Sequence, residues 1–191
     1  HDSMIIVLYC IFFKNQNRHG NGNLAIKHTN QVIIIASTFL KNVATQSGSL
    51  TIDYTSKVVI VASKFYKNIG DDGAAVSIFQ SKIVFISKCY FMQNIAGYRG
   101  GSIYIVENTN IIIISQIYYH RNRAIEGGAM FLKKIKMCKV SSCLLFDNIA
   151  VNEGGGLQIK NVKRNIQTTV VIITCSFGGN IASHEGSAIY V

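Results

Sequence analysis

The chain has 191 residues, 49% of them hydrophobic and 15% charged, so its composition excludes a disordered protein and fits one packed domain. Its net charge of +10 can attract an anionic partner but does not identify one. No stretch reaches the roughly 18 consecutive apolar residues of a membrane-spanning helix, which excludes such a helix within this sequence.

A unit of about 26 residues repeats along the chain. An asparagine marks each copy, at spacings of 27, 26, 26, 28, 26 and 32 residues, and a glycine follows five to seven positions later. These asparagines are Asn15, Asn42, Asn68, Asn94, Asn122, Asn148 and Asn180. Three positions before them lie Phe12, Phe39, Phe65, Phe91, Tyr119, Leu145 and Phe177. Copies in one register predict a solenoid, because a single unit cannot bury its own apolar side.

Each unit contains three short apolar stretches separated by Gly, Asn and Ser. In the second unit they are residues 32–35, 37–40 and 50–52. Short stretches of β-branched and aromatic residues favour strands, and no long window shows the 3.6-residue period of an amphipathic helix. The sequence therefore predicts an all-β protein in which each unit supplies three strands.

Equivalent positions of successive units carry similar residues, as expected for strands stacked about 4.8 Å apart. Ten positions before the asparagines lie Ile5, Val32, Val58, Val84, Ile112, Cys138 and Val170. In the third strand, apolar residues alternate with a column that we expect to point outward. This column contains Ala25, Thr51, Ser77, Tyr104, Phe131, Gln158 and Tyr190. The asparagines are predicted to form a ladder at a buried turn, since each amide has donors and acceptors for both neighbours.

The repeat is clearest in residues 91–105 and in residues 119–132, which include Gly127, Gly128, Ala129 and Met130. This Phe-x-x-Asn pattern, followed by Gly-Gly-Ala-Ile-like segments, resembles the repeat of the polymorphic outer-membrane (Pmp-type) adhesins, within the pectin-lyase-like β-helices. The resemblance covers essentially the whole chain. It implies a right-handed parallel β-helix, here of about seven rungs with three short strands each, in a cell-surface or secreted protein that often adheres.

Four of the five cysteines lie five positions before a ladder asparagine. That column contains Cys10, Ser37, Ser63, Cys89, Ile117, Cys143 and Cys175. Cys10, Cys89 and Cys143 are separated by two or three rungs, which is too far for a disulfide. Cys143 and Cys175 are neighbours, but their side chains should point the same way. We therefore expect mostly free, buried thiols, and the redox compartment stays open.

The sequence gives little sign of catalytic chemistry. Asp71 and Asp72 form the one acidic pair, and acidic residues before the glycine turns are expected to be solvated turn residues. These turn residues are Asp72, Glu126, Glu153 and Glu185. His184 and Glu185 lack the second histidine of a zinc helix, and no Gly-x-Ser-x-Gly, phosphate loop or Cys-x-x-Cys is present. We expect no catalytic residue, metal site or cofactor, and therefore not an enzyme.

Basic residues are concentrated in the connectors before the sixth and seventh rungs. They are Lys133, Lys134, Lys136, Lys139, Lys160, Lys163 and Arg164, with no acidic residue among them. Stacking should bring these connectors together into a patch that can bind an anionic glycan, a lipid headgroup or an acidic tail. The alternative is an ordinary solvated loop edge.

A second candidate surface is an outward column two positions before each asparagine. It contains Phe13, Leu40, Tyr66, Met92, His120, Phe146 and Gly178, of which five are large and apolar. A contiguous apolar stripe is typical of a partner contact, so this face is predicted to pack laterally against another chain. The alternative is that the turn tilts these residues inward.

The chain begins at His1 and ends in an apolar strand, so we expect residues 1–191 to be a single β-helix segment of a longer protein. The leading hypothesis is a non-enzymatic structural or adhesive segment of a cell-surface or secreted protein. Alternatives are a scaffold subunit of a large intracellular assembly, and a carbohydrate-active β-helix with catalytic turns elsewhere. Expected partners are other protein chains or an anionic glycan, not nucleic acid, with membrane association only through flanking regions.

Overall fold

The computed structural model describes residues 3–160 and 168–191. These residues contain 26 β-strands and no helix, and the paired strands run parallel. They form a β-solenoid of about six turns with three sheets. The predicted all-β parallel β-helix is therefore confirmed, and the two smaller sheets each hold seven strands, one for each predicted rung.

The strands, numbered in chain order, form four columns along the solenoid axis. The first column contains β1 (Met4–Leu8), β5 (Gln31–Ile35), β9 (Lys57–Val61), β13 (Ile83–Ser87) and β23 (Thr169–Ile173). The second contains β2 (Ile11–Phe13), β6 (Thr38–Leu40), β10 (Lys64–Tyr66), β14 (Tyr90–Met92), β17 (Tyr118–His120), β20 (Leu144–Phe146) and β24 (Ser176–Gly178).

The third column contains β3 (Gln16–Asn17), β7 (Val43–Ala44), β11 (Ile69–Asp72), β15 (Ile95–Arg99), β18 (Arg123–Ala124), β21 (Ile149–Ala150) and β25 (Ile181–Ala182). The fourth contains β4 (Leu24–Lys27), β8 (Leu50–Asp53), β12 (Val76–Phe79), β22 (Leu157–Lys160) and β26 (Ile189–Tyr190). Two long strands, β16 (Ile103–Ser115) and β19 (Met130–Ser141), belong to the fourth and first columns at once. These long strands join the two columns into one 12-stranded sheet.

Each turn therefore has one strand more than the three predicted. The additional strand is the third column, which follows the ladder asparagine and has only two residues in most turns. In β7, Val43 and Ala44 are too few residues to show a strand pattern. Their pairing depends on the neighbouring turns above and below, so it is visible only once the turns are stacked.

The interior is filled by the predicted apolar columns. Inward positions such as Val58 and Ile60 have no exposed surface. The aromatic residues before the asparagines stack face to face from Phe12 to Tyr119, with ring centroids 4.5–5.2 Å apart. Among the described residues the Tyr119 hydroxyl has no hydrogen-bond partner, and Leu145 ends the run of stacked rings. This continuous apolar column is the main source of stability, as in other solenoids.

Left-handed backbone conformations recur at the corners of each turn, and the two corners that flank the second column have φ of 49–63° in all seven turns. The first corner holds Tyr9, Ala36, Ala62, Lys88, Gln116, Ser142 and Thr174. The second holds Lys14, Lys41, Lys67, Gln93, Arg121, Asp147 and Gly179, each directly before a ladder asparagine. Non-glycine residues rarely adopt this conformation, which costs about 1 kcal/mol each, so bonding between turns must offset the cost.

The column expected to point outward in the third predicted strand is buried, which corrects that prediction. Tyr104 is 4% exposed and Phe131 1% exposed, and only the end members Ala25 and Tyr190 keep substantial exposure. The glycine turn folds over this side of the sheet: Ser77 Oγ donates a hydrogen bond to the Asp72 carbonyl oxygen at 2.6 Å. Strand alternation predicts the direction of a side chain but not the loop that covers it.

Candidate functional site

The seven asparagines form a ladder in which each interior amide is fully hydrogen-bonded. Asn94 Oδ1 accepts hydrogen bonds from the backbone N–H and from Nδ2 of Asn68, both at 3.0 Å. Asn94 Nδ2 donates to Asn122 Oδ1 at 3.2 Å and to the Phe65 carbonyl oxygen at 3.0 Å. Its bonding capacity is thus used within the fold, and the ladder is structural rather than a ligand site.

The column five positions before the asparagines is a small buried slot that serine and cysteine share. Ser63 and Cys143 have no exposed surface, and Cys89 is 1% exposed. The Ser63 hydroxyl and the Cys89 thiol each donate to the carbonyl oxygen two residues earlier, at 3.0 and 3.1 Å. All five cysteines are free. The thiols therefore act as buried packing groups with a local hydrogen bond.

Burial raises the pKa of the Cys89, Cys138 and Cys143 thiols to about 12, and it raises the pKa of Tyr119 well above its usual value. Above about pH 9 the unfolded chain loses its thiol protons, while the native chain keeps them. The unfolded state then binds fewer protons than the native state. The stability that the neutral buried thiols contribute is therefore fully present below about pH 9 and is lost as the pH rises toward 12.

We expect the free energy of unfolding to fall by about 3 kcal/mol between pH 9 and 10, at about 1 kcal/mol for each of the three thiols, because a thiol of the unfolded chain is about half ionised at pH 9. Urea unfolding at a series of pH values measures this slope. Cys89→Ser is the matched variant, because serine already fills the same slot at Ser37 and Ser63. It should remove about a third of the slope; an unchanged slope would contradict the role of the buried thiols.

The structure brings part of the predicted basic patch together. Lys133 and Lys160 are paired in neighbouring strands. Lys134 and Lys136 follow at the corner, whereas Lys139 lies farther along β19 on the outer face of the first column. The prediction that no acid accompanies them is corrected by two carboxylates from adjacent turns. Lys134 Nζ lies 3.4 Å from Glu107 Oε1, and Lys160 Nζ lies 3.3 Å from Glu126 Oε1.

Two members of this patch, Lys163 and Arg164, lie outside the described residues. At the corner itself, hydrogen bonds from Gln80 and Lys134 lower the pKa of Glu107, so this carboxylate stays charged beside the lysines. The connector is therefore a surface of mixed charge, and Lys133 and Lys136 are the corner cations for which no acidic partner is seen within the described residues.

The predicted lateral column is only partly available for contact. Phe13, in the first turn, is 49% exposed, whereas Leu40, Tyr66, Met92 and Phe146 are half-buried. The Phe146 ring covers Gly178 of the next turn, where an added Cβ would lie 2.6 Å from Phe146 Cε1. The column is thus an apolar stripe that packs on itself along the axis and keeps one edge in solvent.

A groove of about 640 Å³ along the second corner was not predicted from the sequence. Isoleucines form its floor, and their exposed fractions are 47% for Ile69, 47% for Ile95 and 36% for Ile149. The charged lining residues are Lys67, Arg121, Arg123 and Asp147. The position after each ladder asparagine reads Gln16, Val43, Ile69, Ile95, Arg123, Ile149 and Ile181 in successive turns, so the column was visible in the repeat.

The predicted solvated turn acid Asp72 is instead half-buried and paired. Arg99 holds it with two hydrogen bonds of 3.0 Å and lies 5.0 Å above the Tyr104 ring. Burial raises the pKa of Asp72 although Arg99 opposes this shift, and it raises the pKa of Tyr104 to about 12. The cluster closes the glycine turn over the sheet and stabilises the fold.

In residues 3–160 and 168–191 no group of three or more His, Cys, Asp or Glu side chains could hold a metal ion. No helix in this part of the chain is long and apolar enough to cross a membrane. Among known proteins, no family model matches the chain, and no curated protein is significantly similar to it.

Proposed function

We propose that this chain is a non-enzymatic structural and adhesive segment of a larger cell-surface or secreted protein. The observation that carries the proposal is the groove at the second corner, which presents an isoleucine floor across four turns and a rim of three cations, one of them, Arg121, 3.9 Å from the Asp147 carboxylate. The Phe-x-x-Asn repeat supports the same function, because it resembles the Pmp-type adhesins within the pectin-lyase-like β-helices.

The groove side chains project from positions that the ladder fixes. Arg121 and Arg123 flank Asn122, whose amide donates to Asn148 Oδ1 at 2.9 Å and to the Phe91 carbonyl oxygen at 3.0 Å. The corner backbone therefore has little conformational freedom, so the Cα atoms that carry both arginine side chains are held in place. A preorganised site loses less conformational entropy when a partner binds.

The groove chemistry suits a partner with anionic and apolar features. Guanidinium groups recognise carboxylate and sulfate oxygens through paired hydrogen bonds. The isoleucine floor can accept the apolar face of a sugar ring or an aliphatic side chain. An anionic glycan or an acidic segment of another protein chain fits this combination.

Binding to immobilised heparin tests the proposal. Combining Arg121→Gln with Arg123→Gln should weaken binding about tenfold or more, because two fork-shaped donors are lost. Combining Lys14→Gln with Lys27→Gln removes the same charge at exposed positions outside the groove and should have a much smaller effect.

Equal losses in both pairs would mean that only net charge matters and would overturn the groove assignment. Lys133→Gln combined with Lys136→Gln applies the same comparison to the connector patch. If that pair alone abolished heparin binding, the adhesive site would lie at the connector instead of the groove.

A scaffold role inside a large intracellular assembly is the second candidate, and the free thiols favour it. Cys143 and Cys175 lie in neighbouring turns and remain unbridged. Free thiols are typical of reducing compartments. Thiol titration of the denatured protein from its native source, without reductant, separates the two: five free thiols favour the assembly, and disulfides favour the secreted protein.

A further inference from the structure

Among the residues that the structure describes, no Asp or Glu lies on one side of the solenoid. We define the apolar side as the outward side chains of the first and second columns and the corner between them. Its segments are residues 4–13, 31–40, 57–66, 83–92, 111–120, 137–146 and 169–178. None of the nine Asp and Glu residues lies in these segments, which contain four lysines: Lys57, Lys64, Lys88 and Lys139.

The outward positions of this side are mostly aliphatic or aromatic. The middle outward position of the first column reads Ile6, Ile33, Val59, Phe85, Ile113, Lys139 and Val171. Flanking residues are well exposed, with Ile83 at 39% and Met137 at 42%. The second column adds Tyr90 at 47% and Leu144 at 42%. The middle outward position is thus apolar in five successive turns, from Ile6 to Ile113, and Lys139 interrupts the run before Val171.

The dimensions of the apolar side follow from strand geometry. Seven stacked strands span about 29 Å, and strands of five and three residues span about 17 and 10 Å. The two columns meet at the first corner, and their outer faces together cover about 800 Å², including the four lysines and the other polar residues. Parallel sheets normally have both faces covered, so a covering layer is expected here.

Basic residues border the apolar side along both long edges. Lys14, Lys41, Lys67 and Arg121 occupy the second corner, and Lys82 and Lys136 precede the first column. All six are exposed. One acid, Asp147, interrupts the second corner and lies 3.9 Å from Arg121 Nε. The second corner thus carries a cation in four of its seven turns, and the opposite edge carries one in two of its seven turns.

We propose that the apolar side docks on an anionic lipid surface. Aliphatic side chains would enter the boundary of the acyl region, tyrosines would lie at headgroup level, and lysines would reach the lipid phosphates. Interior strands such as β9 and β13 are hydrogen-bonded on both edges, so the face leaves water without exposing unpaired backbone groups.

Charge complementarity favours lipid over a second copy of the chain. Two apolar sides placed together would bring lysines against lysines, with no carboxylate on either face. An anionic bilayer supplies the missing negative charge and an apolar layer together. This interaction goes beyond the proposed adhesive function, and it is an alternative to the expectation that membrane association occurs only through flanking regions.

Vesicle binding of the 191-residue chain tests the proposal, with phosphatidylcholine vesicles that contain or lack phosphatidylglycerol. We expect co-sedimentation with the anionic vesicles and weaker binding at high salt. Because the chain has no tryptophan, Phe85→Trp provides a unique probe whose emission should shift to the blue on binding. Tyr98→Trp, on the opposite side and 57% exposed, should show no shift.

Ile113→Asp should weaken vesicle binding about tenfold or more, whereas Val151→Asp, 42% exposed and outside both the apolar side and its rim, should not. If Ile113→Asp fails to fold, Lys57→Gln combined with Lys139→Gln tests the same face through exposed residues. Absence of binding to anionic vesicles would overturn the proposal. So would a dimer in solution that Ile113→Asp converts to monomer, since the occupant would then be a second copy.

Discussion

Asn94→Ala is expected to lower the free energy of unfolding by about 3–5 kcal/mol, because the buried amide joins three turns. Its loss leaves the backbone N–H of Asn68 and the carbonyl oxygen of Phe65 without their side-chain partner. A buried donor or acceptor without a partner costs about 1–3 kcal/mol, which outweighs the small loss of packing. Urea unfolding followed by far-ultraviolet circular dichroism measures the difference.

Asn180→Ala is the matched control, since Asn180 belongs to the same ladder but is half-buried in the last turn. In this end turn, water can reach the donors and acceptors that lose their partner when Asn180 is replaced. We therefore expect the free energy of unfolding to fall by about 1 kcal/mol. Equal losses at Asn94 and Asn180 would contradict the buried-ladder account, because position in the stack would then not matter.

Gly127→Ala is expected to lower the free energy of unfolding by about 3 kcal/mol. Gly127 has a φ of +64°, and an added Cβ would lie 2.4 Å from the Met130 carbonyl oxygen and 2.9 Å from its carbon. These atoms belong to the strand that follows the turn and cannot move without disturbing its pairing. Urea unfolding again provides the measurement.

Lys41→Gly separates the close approach from the backbone angle. Lys41 has a φ of 54° and an exposed side chain, so glycine there removes only the cost of holding a Cβ at a left-handed angle. We expect the free energy of unfolding to rise by no more than about 1 kcal/mol. A gain at Lys41 as large as the loss at Gly127 would mean that the left-handed angle, and not the Cβ contact, explains the glycine at position 127.

The repeating columns made most of the fold predictable from the sequence. A stacked position has similar surroundings in every turn, so the seven residues at that position together indicate whether it is buried and what it contacts. Phe65 and Phe91 in the aromatic stack are an example. The two-residue third column was missed, because Val43 and Ala44 have strand character only through their neighbours. Tyr104 was placed outside, because alternation along a strand contains no information about the loop that covers it.

The candidate sites were less predictable than the core. The lysine patch was predicted from connector composition, but Glu107 and Glu126 approach it from other turns. Outward residues are free to vary, so one column can hold Ile95, Arg123 and Ile149 without a change in the fold. Functional residues on a solenoid are therefore found by reading outward columns across turns, and the isoleucine column could have been found in that way.

The asparagine ladder also has a direction. In each turn from Asn15 to Asn148, Nδ2 donates to Oδ1 of the following turn, so the six bonds run from the first turn toward the last. Their amide dipoles align, and each bond polarises the next, as peptide groups do in a helix. The ladder therefore has a small net dipole along the solenoid axis, with its positive end toward the C-terminal turns. A turn stacked in the reverse orientation would place its amide dipole against the others, so the ladder favours one orientation of the turns as well as holding them together.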